Sequence, residues 1–455
     1  MARPSRNVPS CVLVNIRAGC DTPPNATTAW SKTSTGLLIS ATFHAARPPA
    51  FSFFSVYLIL VFLALEPADL LLKPKFVSED ADLVILRVPR DMRARMENFY
   101  SDYFVYRVNP ERPKLDLLPN PFPVTLEDNE ISILSCNEDK YAVAALQMVP
   151  DFKPTFKLHL YRSTNGEPGI WTSQLLPLEE PLRDKVCPIP ESAERQIYHM
   201  STKVITLGDD KGTVGWVDLW RGIILCDVLS ECPKLRDLPL PLPAKGNLDR
   251  FLNCCPSYFR DITVNQLKDT IKSDPDDLVP YQGKPHSIIP GTWTATTWTM
   301  PIPAASWYDW RPGYSVSLAN LCLPSGYQRV HKLLDRLLNS GNYEEQEVTG
   351  ATLSLGCLCM AHPTLSMLDD DVLYFLSTGT HMESIEALIN VDLRVKTLKG
   401  VAVLGTNRCF LRHFRVSGIS RYLKTRVEKQ TLGLYYIVGK QKVQEYNLKS
   451  ISWKR

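Results

Sequence analysis

The densest set of titratable side chains in the sequence is the acidic triplet Asp369-Asp370-Asp371. Adjacent carboxylates can supply oxygen ligands to a divalent cation. They also bind backbone N–H groups where a chain turns, and this triplet stands directly before Val372–Leu376, an apolar stretch typical of a strand. The position favours a turn, and we assign no metal ligand there.

The twelve cysteines could bind zinc or form disulfides, but their spacing fits neither role. Cys254 and Cys255 are adjacent, Cys357 and Cys359 are separated by one residue, and no C-x-x-C pair occurs. Zinc sites usually combine two such pairs, or one pair with two histidines three to five residues apart. The eight histidines are scattered. We expect reduced thiols that pack as small apolar side chains, as in cytoplasmic or nuclear proteins.

The common local signatures of catalysis are absent. The chain contains no G-x-x-x-x-G-K-[ST], G-x-G-x-x-G, G-x-S-x-G or H-E-x-x-H pattern. We therefore predict no catalytic residue, no cofactor and no enzymatic activity. Because a triad can also be assembled from distant positions, a ligand-binding or enzymatic protein is the alternative.

Three tryptophans, Trp216, Trp220 and Trp310, could line a ligand cleft, although large aromatics in β proteins more often fill the space between sheets. Within Gly215–Val228, alternation places both Trp216 and Trp220 on the face of Asp218, and Arg221-Gly222 is the expected reversal. We interpret this segment as structural, with Asp218 holding turn N–H groups or an arginine.

The elements that would position these residues are short strands. Apolar stretches of four to eight residues recur along the chain between polar turns, and proline (35) outnumbers glycine (22). Three stretches, at about 141–176, 203–242 and 372–404, resemble one antiparallel meander. The fold class is therefore all-β, in a β-propeller-like arrangement of meanders, with paired β-sandwiches as the alternative.

Helix is predicted at one place, as an inserted amphipathic helix over about 325–340. Five aliphatic residues from Val330 to Leu338 recur there with helical spacing, and Gly341 would end the helix.

An uncharged apolar run covers residues 48–65. It is short for a membrane-spanning helix and too far from residue 1 for a signal peptide. Its aromatic and β-branched residues favour a pair of buried strands over a single-pass anchor, so no membrane contact is expected.

Basic residues are concentrated at the C-terminal end. Residues 411–455 contain eleven Lys or Arg and two Glu, which permits contact with an anionic surface or nucleic acid. A solvated basic tail is the preferred interpretation, because Leu432–Val438 resembles a strand. We predict a disordered N-terminus at 1–9, one β-rich domain at 10–425 and a basic strand or tail at 426–455.

Three separated blocks resemble the plant "domain of unknown function 1618" family, which is expanded in grasses. The resemblance spans about 10–425, is most diagnostic at about 214–365, and is carried by these segments: Asn25–Ala29, Lys32–Gly36 and Arg47–Pro49; Gly215–Val228 and Leu235–Pro241; and His362–Tyr374, Val391–Arg394 and Gly418–Leu423.

The resemblance implies a propeller-like fold without an established activity, similar to the domains that follow F-box segments. We expect no F-box in this protein, and the wholly apolar stretch at Tyr57–Leu65 departs from the family pattern. We therefore expect a soluble, non-enzymatic protein-interaction module with a protein partner of unknown identity. A small-ligand-binding or enzymatic propeller, with polar residues converging at one mouth of its axis, is the alternative. The sequence indicates no oligomeric state.

Overall fold

The computed structural model of the chain describes residues 11–19, 22–48, 50–58, 72–121, 124–137, 139–150, 153–163, 169–189, 191, 197–208, 210–242, 255–265, 270–275, 294–304, 306–317, 321–322, 359–367, 372–378, 386–405 and 414–423. Twenty-five strands lie within these residues, together with helix α1 (Arg183–Val186) and 3-10 helices at Met92–Arg95, Asn98–Tyr100, Pro256–Tyr258, Trp307–Asp309 and Ile419–Tyr422.

The strands in chain order are β1 Val12–Asn15, β2 Ala29–Lys32, β3 Leu38–His44, β4 Phe51–Leu58, β5 Lys75–Asp80, β6 Leu83–Pro89, β7 Ser101–Arg107, β8 Lys114–Leu118, β9 Ile131–Ser135, β10 Tyr141–Val149, β11 Thr155–Arg162, β12 Ile170–Pro177, β13 Lys203–Thr206, β14 Thr213–Asp218, β15 Gly222–Asp227, β16 Leu235–Pro239, β17 Arg260–Asn265, β18 Thr270–Pro275, β19 Thr294–Pro301, β20 Arg311–Ser317, β21 Cys359–Leu365, β22 Val372–Thr378, β23 Glu386–Asp392, β24 Thr397–Gly405 and β25 Phe414–Ser417.

These strands form six sheets in the described part of the chain. Sheets 2 to 6 are four-stranded antiparallel meanders of consecutive strands: β5–β8, β9–β12, β13–β16, β17–β20 and β21–β24. Sheet 1 has the order β2-β3-β4-β1-β25. Its pairs are antiparallel except for β1 with β4, which run parallel.

The innermost strand of each sheet takes part in a ring around one axis. Strand β5 contacts β9, β9 contacts β13, β13 contacts β17, β17 contacts β21 and β21 contacts β25. The ring closes where Arg415 Nη1 of β25 donates to the Val77 carbonyl of β5 over 2.7 Å. Sheets arranged around such a ring define a β-propeller, which confirms the predicted fold class.

Apolar side chains fill the space between successive sheets. Each of six buried clusters joins one sheet to the next, and representative members are Phe43 and Phe104 between sheets 1 and 2, Val105 and Val143 between 2 and 3, Phe156 and Trp216 between 3 and 4, Val217 and Ile262 between 4 and 5, Ala295 and Phe375 between 5 and 6, and Tyr374 and Leu13 between 6 and 1. Paired β-sandwiches would enclose one core per pair of sheets, so that alternative is wrong.

Successive residues of a strand within a sheet point to the two neighbouring sheets in turn. In β14, Val214 and Trp216 pack toward sheet 3, whereas Val217 packs toward sheet 5. Gly215 shares the face of Val217, where an added Cβ would lie 2.9 Å from Ile223. Because both of its faces are buried, such a strand contains a high proportion of apolar residues, and this is why it is visible in the sequence.

The predicted meanders are confirmed as β10–β12, β13–β16 and β22–β24. The apolar run at 48–65 begins with one strand, β4, while residues 59–65 lie outside the described residues. The predicted helix at 325–340 and the segments 1–9 and 426–455 also lie outside them. No helix among the described residues is long and apolar enough to cross a membrane.

Candidate functional site

The central axis contains a small polar cavity. Its volume is about 90 Å³, and its walls come from β5, β13, β17, β25 and residues 418–422. The polar side chains that line it are Ser78, Glu79, Asp80, Lys203, Thr206, Thr263, Arg415 and Tyr422. This lining agrees with the alternative prediction that titratable groups converge on the axis of a propeller.

Glu79 and Arg415 are the two groups of this cavity that bring β5 and β25 together. Ser417 Oγ donates to Glu79 Oε2, and the Arg415 guanidinium lies over the Phe76 ring with 5.6 Å from Cζ to the ring centroid. Burial raises the pKa of Glu79 from 4.5 to about 7, although Ser417 and Arg415 act in the opposite direction. Burial likewise lowers the pKa of Arg415. The cavity therefore contains a carboxyl group that exchanges a proton near neutral pH.

Asp80, the last residue of β5, connects this strand to β9 and to β13. Its carboxylate accepts a hydrogen bond from the Ser135 backbone N–H of β9 over 2.7 Å. Burial raises the pKa of Asp80, while hydrogen bonds from Ser135, Ala81 and the Thr206 side chain oppose the shift. These bonds commit Asp80 to holding neighbouring sheets together.

Ion pairs connect further inner strands of the ring. Lys203 Nζ of β13 lies 2.8 Å from Asp261 Oδ1 of β17, and Asp261 Oδ2 accepts from the Leu365 N–H of β21 over 3.0 Å. Lys75 Nζ lies 2.7 Å from Asp128 Oδ2, just before β9. In each pair the cation faces a carboxylate from the part of the chain that forms the next sheet. These ion pairs therefore hold neighbouring sheets of the ring together.

The segment Gly215–Val228 forms the hairpin β14–β15, as predicted. Trp216 is fully buried, and its Nε1 donates to the Glu130 carbonyl over 2.7 Å. Asp218 accepts from the N–H groups of Trp220 (3.0 Å) and Met200 (3.3 Å). Burial raises the pKa of the Asp218 carboxyl. The prediction that Asp218 holds turn N–H groups is confirmed.

Two details of the predicted hairpin are corrected. The reversal spans Leu219 to Arg221, since β15 already begins at Gly222 opposite Asp218. Trp220 does not share the environment of Trp216, because the turn carries it into the cluster between sheets 5 and 6.

A buried polar network beside this hairpin was not predicted. Arg183 Nε lies 2.7 Å from Asp237 Oδ1, and both side chains are fully buried. Tyr198 Oη donates to Asp237 Oδ2 over 2.7 Å, and Arg183 Nη1 lies 2.9 Å from His199 Nδ1. Burial, with Arg183 and then Arg221, holds the pKa of His199 well below its usual value, so the neutral ring accepts this bond.

Arg221 extends the network to the segment that precedes it. Its guanidinium donates to the Cys187 carbonyl (3.1 Å), the Tyr198 carbonyl (2.8 Å) and the Asp184 carboxylate. The chain around α1 is thereby held against sheet 4. In the sequence, the signal was the pair of charged residues Arg236 and Asp237 within the otherwise apolar segment Leu235–Pro241.

The remaining sequence candidates are also structural or lie outside the described residues. Trp310 is buried, and its Nε1 donates to the Pro239 carbonyl over 3.0 Å. Asp369–Asp371 lie outside the described residues. Among those described, no group of three or more His, Cys, Asp or Glu side chains could hold a metal ion. The described free cysteines include buried Cys187 and Cys226.

An exposed apolar patch lies on sheet 1. Trp30 of β2, Leu38 of β3 and Tyr57 of β4 are 53%, 40% and 56% exposed. Trp30 and Tyr57 both stand opposite Ser40, and Leu38 is two residues from Ser40, so the three side chains share one face of the sheet. We call these three residues the aromatic patch.

The fold and the sequence together identify the class of protein. The sheet order and the six clusters define a β-propeller, and within it the profile described as "Protein of unknown function (DUF1618)" matches residues 216–374. This match confirms the resemblance to the family that was found in the sequence. The matched region begins at Trp216 and ends in β22.

Comparison with solved structures gives matches of low similarity. The chain is 9% identical to the β-propeller domain of Cps50 (Swd1) from Myceliophteria thermophila, covering 84% of this chain and 88% of that one, with a TM-score of 0.34. It is 10% identical to the tail fiber of Staphylococcus aureus phage P68, covering 83% of each chain, with a TM-score of 0.13. The fold assignment rests on the sheets themselves. No curated protein matches the chain.

Proposed function

We propose that the chain is a non-enzymatic protein-interaction module that binds a protein partner through the aromatic patch. The observation that carries this proposal is the exposure of Trp30, Leu38 and Tyr57 on one face of three adjacent strands. Exposed apolar patches commonly mark interaction sites, and Trp and Tyr are enriched among the residues that dominate binding energy.

The aromatic patch presents a broad apolar surface to a partner. Trp30 and Tyr57 stand on either side of Ser40, with their strands about 10 Å apart because two strand spacings separate them. Ser40 is small and buried, so the surface that a partner would contact consists of the two aromatic rings and Leu38. Lys32, directly opposite Leu38, adds a positive charge at the edge.

The absence of enzymatic activity is supported by how the polar groups are used. Within the described residues, Asp218, Arg183, Asp237 and Arg221 are committed to hydrogen bonds that hold the fold. His199, the histidine of that network, contacts Arg183 and Ser201, and none of these three residues lines the axial cavity.

The test is quantitative capture from an extract of the source organism with three proteins: the parent, the double variant Trp30→Ala/Tyr57→Ala, and the control Tyr308→Ala. Tyr308 is 70% exposed and lies in the 3-10 helix Trp307–Asp309, which connects β19 to β20 in sheet 5, away from the aromatic patch on sheet 1. A direct partner should bind the double variant at least about tenfold more weakly than the parent and the control.

Melting temperatures should be alike, because all three side chains are exposed. Two outcomes contradict the proposal: the double variant retains every partner of the control, or the purified parent turns over a metabolite in an unbiased activity screen.

A second candidate function is binding of a small polar ligand in the axial cavity. The cavity with Glu79 and Arg415 on its wall favours it. The volume of about 90 Å³ restricts such a ligand to a few heavy atoms. Contact with nucleic acid through the basic tail stays a prediction, since residues 424–455 lie outside the described residues.

A further inference from the structure

The outer edge of β12 is the most exposed strand edge of sheet 3. The strand order β12-β11-β10-β9 leaves one side of β12 without a neighbour among the described strands. Ile170 is 78% and Leu175 62% exposed, and four other residues of this eight-residue strand are also exposed. A free edge presents unpaired N–H and C=O groups to any strand of suitable length.

The outermost strands of the other sheets carry features that discourage pairing. These are Lys32 in β2, Lys114 and Asp116 in β8, Arg236 and Asp237 in β16, Arg311 with Pro312 in β20, and Lys399 with Gly400 in β24. Charges and prolines on edge strands are the usual protection against added strands. Strand β12 contains no charged residue, and its one proline, Pro177, is its last residue.

We propose that β12 pairs antiparallel with β12 of a second copy, so that two sheets 3 form one continuous sheet. A two-fold axis places each residue opposite a residue of the copy. Two residues that stand directly opposite each other in an antiparallel ladder must both point their N–H and C=O groups toward the other strand, or both point them away from it. Neighbouring residues point in opposite directions, so the axis must pass through a residue that stands opposite its own copy.

The sequence of β12 is self-complementary around Ser173. With Ser173 at the axis, Thr172 stands opposite Gln174, Trp171 opposite Leu175, and Ile170 opposite Leu176. Polar residues meet polar residues at the centre and apolar residues meet apolar ones on both flanks. The exposed Leu175 and Ile170 each gain a large apolar neighbour, which is the contribution expected of cross-strand pairs.

The adjacent register lacks this match. With Gln174 at the axis, Thr172 and Ser173 stand opposite Leu176 and Leu175, and Pro177 enters the ladder opposite Trp171. Proline cannot donate to a ladder, so this register loses both hydrogen bonds and apolar contacts.

The axis makes a crosslinking test specific. Directly opposite Cα atoms lie about 4.5–5.5 Å apart, within the range that a disulfide spans. Under mild oxidation, Ser173→Cys should give a disulfide-linked species of twice 51.4 kDa. Mass spectrometry should identify two copies of the same peptide, joined through the thiols introduced at position 173. In the same register, the two copies of residue 174 lie about 8 Å apart, so the control Gln174→Cys should not crosslink.

Solution mass gives an independent measurement. At about 0.1 mM, where small interfaces associate, the parent should approach twice 51.4 kDa by light scattering. Leu175→Lys should return the mass to 51.4 kDa without lowering the melting temperature, because this side chain is exposed. The matched control Tyr308→Lys, also at an exposed site, should keep the parent mass.

A parent that stays monomeric overturns the proposal, and so does crosslinking at residue 174 instead of 173. If β12 instead pairs with a strand of a different protein, the purified parent stays monomeric, and this result also overturns the proposal. The aromatic patch lies on sheet 1 and β12 lies in sheet 3, so the two proposals are tested independently. A monomeric parent contradicts only the β12 dimer, and a double variant that retains every partner contradicts only the binding of a partner at the aromatic patch.

Discussion

Replacing Glu79 with glutamine should make the protein more stable at pH 8 and change it little at pH 5. Glu79 lies on the wall of the axial cavity and accepts a hydrogen bond from Ser417. Burial raises its pKa to about 7 from an ordinary value of 4.5. The folded protein therefore keeps a proton that the unfolded chain releases between these two values.

The sign follows from the linkage between protonation and folding. Where the folded state binds more protons than the unfolded state, stability falls as pH rises. Glu79 thus lowers the free energy of unfolding progressively from about pH 4.5 to about pH 7. A shift of this size corresponds to at most about 3 kcal/mol, and less where water of the cavity solvates the carboxylate.

The assay is thermal unfolding of the parent and Glu79→Gln at several pH values from 5 to 8. A chain of this length has an unfolding entropy of about 1 kcal/mol per kelvin, so the advantage of the variant should grow by about 2–3 °C between pH 5 and pH 8. Glu231→Gln, which removes an exposed carboxylate, should show no such change. A melting-temperature difference between the parent and Glu79→Gln that is independent of pH would refute the raised pKa of Glu79.

Two further predictions concern the hairpin and its network. Trp216→Ala should cost about 3–5 kcal/mol and lower both the melting temperature and the soluble yield, because it empties a fully buried site and frees the Glu130 carbonyl; a variant that melts like the parent but loses its partner would instead make the hairpin a binding surface. Asp237→Ala should cost about 3–5 kcal/mol in urea unfolding, since it leaves the buried Arg183 cation unpaired, and Arg183→Met/Asp237→Leu should recover much of the loss. Equal losses in the single and double variants would contradict that account.

Short strands with both faces buried were the most predictable part of the fold. The stretches that became β10–β12, β13–β16 and β22–β24 are rich in apolar residues and are separated by polar turns, so local pattern alone located them. The role of Asp218 was predictable for the same reason, because a carboxylate at a strand end has turn N–H groups close by.

Sheet 1 was harder to predict, since its pairing is not local. Strand β1 stands between β4 and β25, and nothing near Val12–Asn15 in sequence specifies either neighbour. The axial cavity was hidden for the same reason: Glu79 and Arg415 meet only when the ring closes. In the sequence, Arg415 stands among the charges of the basic C-terminal end, whereas the structure places it in an inner strand.

The pairing of β1 with β25 also determines when the molecule can be finished during synthesis. Asn15 stands opposite Phe414, about 400 residues later in the chain. At about 5–20 residues per second, a ribosome needs roughly 20–80 s to deliver the second strand after the first. For that interval β1 has an open edge, as does any nascent chain that stops short of Phe414. Sheets 2 to 6 are each built from consecutive strands and can form as they emerge, so chaperone dependence should concentrate on sheet 1.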